Sequence, residues 1–167
     1  MVALGSGAGH TCVDQLSGDV MGEQRIEQTI YIKAPIEQVW DALTNPDVTE
    51  QYWGKTRIES DWKPHSTIRY VRDGQTMDEH VILEIQAPAK LVHTFQPLFG
   101  DFQHEAPSKV SITLQSGGEV VRLALLHDHF APESKVYAAC REGWPMILSA
   151  LKTLLETGGP LPEFQST

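Results

Sequence analysis

The sequence predicts an α+β domain: a curved antiparallel sheet of about seven strands wrapped on one long C-terminal helix, with two short helices after the first strand. Three observations carry this prediction. Between Pro132 and Thr157, the residues Val136, Cys140, Trp144, Ile147, Leu148, Leu151, Leu154 and Leu155 recur at helical spacing, giving one apolar stripe on a helix of about twenty-five residues. From Arg25 to His129 the chain is otherwise mostly short, strand-like segments. The connectors between them are short, which makes consecutive strands antiparallel neighbours. One long helix needs a sheet to pack against, and a sheet curled round a single helix can leave a cavity between the two.

Each element has its own local reason. In Arg25 to Lys33, Ile26, Gln28, Ile30 and Ile32 share one parity, as expected of a first strand with one buried face. Ala34-Pro35 ends it, because proline presets the backbone of a first helical turn and lacks only an amide that would be unpaired there. Ile36, Val39, Trp40 and Leu43 then make a short helix to about Thr44. Asn45-Pro46 breaks it, and Val48 to Trp53 forms a second short helix stopped by Gly54. Strands follow at Lys55 to Ser60, Thr67 to Arg72, Thr76 to Gln86, Lys90 to Gln96, Lys109 to Gln115 and Val120 to His127. The turns between them carry Lys63-Pro64-His65, Asp73-Gly74, Ala87-Pro88-Ala89 and Ser116-Gly117-Gly118. The longer connection from Pro97 to Pro107 carries Phe99 and Phe102, and suits either a lid over a cavity mouth or a loop that tucks two rings against the sheet.

A chain of 167 residues suits one domain, able to bury roughly 70% of its unfolded surface. Residues 1–22, rich in glycine and without periodicity, are expected to be a flexible N-terminal extension with Met21 as an alternative start, 23–158 the domain, and 159–167 a C-terminal tail. The net charge of −9 argues against a nucleic-acid partner, since no face concentrates Lys and Arg. No window approaches the ~18 apolar residues of a membrane span, and the N-terminus lacks the basic and apolar regions of a secretory signal. Cys12 and Cys140 are too few and too differently placed for a disulfide framework, which suits a cytoplasmic setting.

The run Ala34-Pro35-Ile36-Glu37-Gln38-Val39-Trp40-Asp41-Ala42-Leu43-Thr44, then Tyr52-Trp53, Pro88-Ala89-Lys90-Leu91-Val92 with Thr94-Phe95, Leu126-His127 and Gly143-Trp144 before Leu148, Leu151 and Lys152, resembles the heat-shock-protein-90 ATPase activator homologue family. The resemblance spans roughly Arg25 to Glu156 and implies the helix-grip fold of the START-like, birch-pollen-allergen-like (SRPBCC) superfamily. In the eukaryotic co-chaperone a separate N-terminal domain precedes such a module, and 1–22 is too short to be one. Pro145, directly after Gly143-Trp144, departs from a regular helix and predicts a kink or break near Cys140 to Trp144.

Strand parity points Leu91, His93 and Phe95, Val110, Ile112 and Leu114, and Val121, Leu123, Leu125 and His127 toward the helix. His93 and His127 are then either polar handles in an apolar pocket or paired core histidines. His127-Asp128-His129 has strand spacing for a metal, with His80 and Cys140 as further donors, but no close pair elsewhere has ligand spacing, so no metal is expected. Glu79 shares parity with Val81, Leu83 and Ile85, and would point inward with a raised pKa. There is no Gly-x-Ser-x-Gly, no phosphate-binding glycine loop, and Cys140 on an apolar stripe should have a raised pKa; no cofactor is implied.

These readings converge on a binding module that holds a small apolar or amphipathic molecule between the sheet and the last helix. The expected lining is Tyr70, His80 and Leu83, then His93, Phe95, Leu114, Leu125 and His127 on the later strands, and Trp144, Leu148 and Leu151 on the helix. Two other functions stand beside it. One is an enzyme resembling the superfamily's polyketide cyclases and aromatases, with His93 or His127 and Glu79 moving protons. The other, implied by the family resemblance, is a module that modulates a chaperone or other protein partner, as a monomer or homodimer.

Overall fold

The computed structural model describes residues 24–166, so the expectations for the N-terminal extension, Met21 and Cys12 lie outside the described residues. Seven strands form one sheet: β1 (Ile26–Ile32), β2 (Arg57–Glu59), β3 (Thr67–Arg72), β4 (Gln75–Gln86), β5 (Lys90–Phe95), β6 (Ser108–Gly117) and β7 (Val120–Asp128). Their order is β1-β7-β6-β5-β4-β3-β2, antiparallel throughout, so the first strand pairs with the last and the other neighbours are consecutive hairpins. Helices α1 (Ile36–Thr44) and α2 (Pro46–Tyr52) follow β1, and α3 (Lys135–Thr157) closes the fold. This is the α+β helix-grip arrangement that the sequence predicts.

Helix ends obey local chemistry. Asn45 caps α2 by accepting the Asp47 amide at 3.0 Å, while Pro46 takes the first position, where no amide is needed. The buried Tyr52 hydroxyl donates to the Ala42 carbonyl at 2.6 Å and fastens α2 to α1. Ser134 accepts the Tyr137 amide at 2.9 Å to start α3, and Gly158, at φ 78°, ends it in the left-handed conformation that favours glycine.

The break expected at Cys140 to Trp144 is absent: α3 runs without interruption through Pro145. Pro145 and Arg141 are both exposed, so the carbonyl that loses its amide partner lies on the solvated side of the helix.

The core lies between the concave face of the sheet and α3. Ile32, Val110, Leu123 and Leu151 are fully buried, and Leu114, Leu125, Leu148 and Leu154 pack with them. β4 is where strand parity misleads. Between the pairs Ile82–His93 and Glu84–Val92 its register slips by one, leaving Leu83 unpaired in a bulge. Before the bulge, Asp78, His80 and Ile82 face inward; after it, Ile85 does. Val81-Ile82-Leu83 is apolar on every side, so alternation alone could not set the phase.

Candidate ligand pocket

A cavity of about 290 Å³ opens between the N-terminal half of α3 and the β3–β5 part of the sheet. Val136, Ala139, Cys140, Gly143, Trp144 and Ile147 form its helical wall, since steps of three and four residues keep one face turned to the sheet. Trp53 comes from the end of α2, Tyr70 and Arg72 from β3, Asp78 from β4 and Phe95 from β5. Pro97, Phe99 and Phe102 roof it from the connection after β5, which contains a 3₁₀ helix at Gly100–His104. Phe99 and Phe102 meet edge to face at 5.4 Å, so the connection brings both rings to the mouth.

The rings form one continuous aromatic set. Trp53 meets Tyr70 at 5.4 Å and Trp144 at 5.5 Å, both edge-on. Phe95 stacks on His80 at 4.7 Å and meets His127 at 4.8 Å. An ideal side-chain carbon built on Gly143 meets nothing within 4 Å, so the glycine leaves open space where any other residue would enter the cavity.

Three histidines lie directly behind this wall, each held neutral. The Trp144 indole Nε1 donates to His127 Nδ1 at 3.0 Å, which places the His127 proton on Nε2, 2.7 Å from Ser108 Oγ. Burial, with a smaller contribution from nearby His93, lowers the His127 pKa to about 3. His93 Nδ1 donates to the Thr94 carbonyl at 2.6 Å, yet burial still holds its pKa at about 4. His80 Nδ1 accepts the Gln96 amide at 2.9 Å, so its proton sits on Nε2. That atom is buried with no hydrogen-bond partner among the described residues, 3.7 Å from Asp78 Oδ2. Desolvation keeps the His80 pKa well below its usual value.

Of the residues expected from sequence to line the cavity, Tyr70, Phe95 and Trp144 do so. His80, His93 and His127 form the layer behind them. Leu114, Leu125, Leu148 and Leu151 are solid core beyond the pocket's end. Leu83 is a correction: it is 45% exposed, because the β4 bulge turns it to the outer face. Glu79 is a second correction, exposed on that same face, so it cannot serve His93 or His127 as a proton partner across the sheet. His129 adopts a left-handed backbone, is exposed and pairs with Asp128 at 2.7 Å, so it does not join His127 on one side of the strand.

The charged residues of the pocket that sequence reasoning passed over are Asp78 and Arg72, and Asp78 is the more deeply buried. It is 6% exposed, lines the pocket, and burial raises its carboxyl to about 7, with Arg72 pulling the other way. The available signal was an aspartate within a strand, a position that the type ordinarily avoids. Because the folded carboxyl binds protons more tightly than the unfolded one, Asp78 costs stability as pH rises from 3.8 toward 7. Asp78→Asn is therefore expected to stabilise the protein by about 2 kcal/mol at pH 8, roughly half the full linkage value since the mouth is partly solvated. The gain should vanish near pH 4, and urea midpoints at the two pH values test it; equal gains at both would dismiss the buried charge as the cause. Cys140, beside it on α3, has a thiol pushed up to about 12 by burial and is a poor nucleophile.

A seven-stranded sheet gripping one helix over an aromatic pocket defines the helix-grip class. Residues 33–156 match the family described as "Activator of Hsp90 ATPase homolog 1-like protein", and the chain belongs to that family. Among curated proteins none matches it. Several solved structures share the fold. The Aha1 dimer from Colwellia psychrerythraea is 21% identical, with 80% of this chain and 97% of that one covered and a TM-score of 0.66. An HSP90 activator from Plasmodium falciparum is 19% identical, with 79% and 96% covered and a TM-score of 0.67. DynU16, a protein of the dynemicin biosynthetic locus, is 20% identical, with 83% of this chain and 49% of that one covered and a TM-score of 0.68. No described helix is long and apolar enough to cross a membrane.

Proposed function

We propose that this domain binds a small, largely aromatic molecule between the sheet and the N-terminal half of α3. The supporting observation is the 290 Å³ cavity walled by Trp53, Tyr70, Phe95, Phe99, Phe102 and Trp144, with Asp78 and Arg72 as its charged groups. Few polar groups among many rings is the usual make-up of a small-molecule site. Burying ~200 Å² of ligand apolar surface contributes about 5 kcal/mol before entropy losses. DynU16, with the same fold, belongs to a biosynthetic locus, which is compatible with a small-molecule role here.

Gly143→Leu tests the reading, because its side chain has room to fill the cavity and leucine favours a helix over glycine by about 0.8 kcal/mol. The expected result is a protein that melts no lower than wild type and has lost both co-purifying small molecules, seen by mass spectrometry, and thermal shifts with an aromatic compound library. Ligand shifts that survive Gly143→Leu would exclude this pocket as the site.

A second reading has its own support in the family and in the outer face of β4, where Val81 and Leu83 stand exposed. There the domain modulates a protein partner such as Hsp90 through its sheet. Stimulation of the Hsp90 ATPase that Gly143→Leu leaves intact would favour this function over the pocket.

A further inference from the structure

We propose that the β3–β4 side of the pocket is a proton-transfer site for an aromatic ketone, with Asp78 as the base, the Tyr70 hydroxyl as donor to the carbonyl oxygen, and His80 positioning Asp78. The inference rests on the pocket binding a small molecule and adds what happens to it there.

The geometry begins in the sheet. Tyr70 and Asp78 are directly opposed on β3 and β4, at the point where the register slips between Tyr70 and Val71. Both side chains line the pocket, and neither the Tyr70 hydroxyl nor the Asp78 carboxyl makes a hydrogen bond among the described residues. Two polar groups on adjacent strands, open to one cavity and bonded to no other described residue, are placed to meet something that enters it.

Behind them, His80 is fully buried and its Nε2–H is unpartnered, aimed at Asp78 Oδ2 from 3.7 Å. The ring is held in place: Gln96 fixes Nδ1, Phe95 stacks on it, and Tyr70 meets it edge-on at 4.5 Å. Closing the gap therefore falls to the carboxyl, which needs to move by about 1 Å to accept a hydrogen bond of normal length. That bond is available to the carboxylate, and it sets the carboxyl's orientation when Asp78 gives up its proton.

The surroundings suit a base that works near neutral pH. The titratable or charged groups facing Asp78 are Tyr70 and Arg72 on β3, His80 on its own strand and Cys140 on α3, while β5 and the following connection contribute Phe95, Pro97, Phe99 and Phe102. Burial among these groups raises the carboxyl to about 7, close to the optimum for a general base. Donors exceed acceptors here, with Tyr70 and Arg72 able to donate and one carboxyl to accept. The complementary ligand group is a carbonyl oxygen next to an acidic C–H bond, carried on rings that match the aromatic wall.

In the reaction the Asp78 carboxylate takes the proton from the carbon beside the carbonyl. The C–H electron pair becomes a C=C bond, and the negative charge that develops on oxygen accepts the Tyr70 O–H hydrogen bond. Asp78 then returns its proton to the same carbon, giving exchange, or to a conjugated one, giving isomerisation. The step requires no oxidant, reductant or further reactant.

The test incubates wild-type protein in D₂O with β-tetralone and phenylacetone, following binding by thermal shift and deuterium uptake at the α-carbon by mass spectrometry. The expected result is binding with exchange at least about 100-fold above buffer, rising with pH to a plateau. Asp78→Asn should still bind and lose that excess. Tyr70→Phe should lower the rate with the pH midpoint unmoved. His80→Leu should raise the midpoint by about one unit, because the ionised carboxyl loses its donor, and His80→Gln, which retains a donor, should restore it.

Ketones that bind and exchange no faster than in buffer, or exchange that Asp78→Asn leaves unchanged, overturn the inference and leave the binding pocket standing. If aromatic library members shift the melting temperature and the ketones do not, the ketone assignment falls. No shift with either removes the pocket reading itself.

Discussion

Lowering the pH from 7 to about 4 is expected to unfold this domain cooperatively, more steeply than carboxylate protonation alone would. His80, His93 and His127 are buried and neutral, with folded pKa values below the ordinary 6.5, at about 4 for His93 and about 3 for His127. A depressed histidine contributes stability that is complete above 6.5 and is lost as pH falls toward its folded value, because the unfolded chain takes the proton first. Each histidine removes about 1.4 kcal/mol per pH unit across that window. Asp78 acts with the opposite sign between about 7 and 3.8, gaining stability as pH falls, and offsets one of the three. The net slope is roughly 3 kcal/mol per pH unit, and against a total stability of about 5–15 kcal/mol it exhausts the fold within a few units. Urea unfolding at pH 7, 6 and 5 measures the slope directly. A stability that stays level from pH 7 to 5 would mean that the histidines are not buried as neutral groups.

Trp144 is expected to be the most sensitive single side chain of the site. Trp144→Ala should cost about 4 kcal/mol, from lost packing against Trp53 and Phe95 and from the loss of the proton donor to His127. Trp144→Phe separates the two contributions. It keeps most of the ring and leaves His127 Nδ1 buried without a partner, at a cost of about 1–3 kcal/mol. The shortfall should largely disappear in the triple variant Ser108→Ala, His127→Leu, Trp144→Phe, which removes every member of the Ser108–His127–Trp144 chain together. Chemical denaturation of the four proteins decides the matter; a Trp144→Phe variant as stable as wild type would show that the hydrogen bond contributes nothing net.

The fold was legible in the sequence because its signals are local and repeated. The Pro35 and Asn45-Pro46 punctuation set α1 and α2, the stripe from Val136 to Leu155 set α3, and alternation in β1, β6 and β7 assigned their inner faces. Three of the six aromatic walls of the pocket were legible as well: Tyr70, Phe95 and Trp144 line it as expected.

What failed depended on register and depth. A single unpaired residue, Leu83, reverses the phase of β4, exchanging Glu79 for Asp78 as the inward acid. Leu148 and Leu151 lie farther along α3 than the pocket residues, and Leu114 and Leu125 stand on β6 and β7, which contribute none of the lining; all four are packed into the core. A periodic pattern gives the direction of a side chain; it does not give the distance between the two surfaces it points across. The continuity of α3 through Pro145 was likewise hidden, since it depends on which side of the helix meets water.

The pairing of β1 with β7 has a consequence during synthesis. Ile26 finds its partner in His127, so the first strand leaves the ribosome about a hundred residues before the strand that completes it. At ~5–20 residues per second, that is a wait of roughly 5–20 s. Ile26, Ile30 and Ile32 spend that interval as an unpaired apolar edge, the kind of segment that nascent-chain chaperones hold.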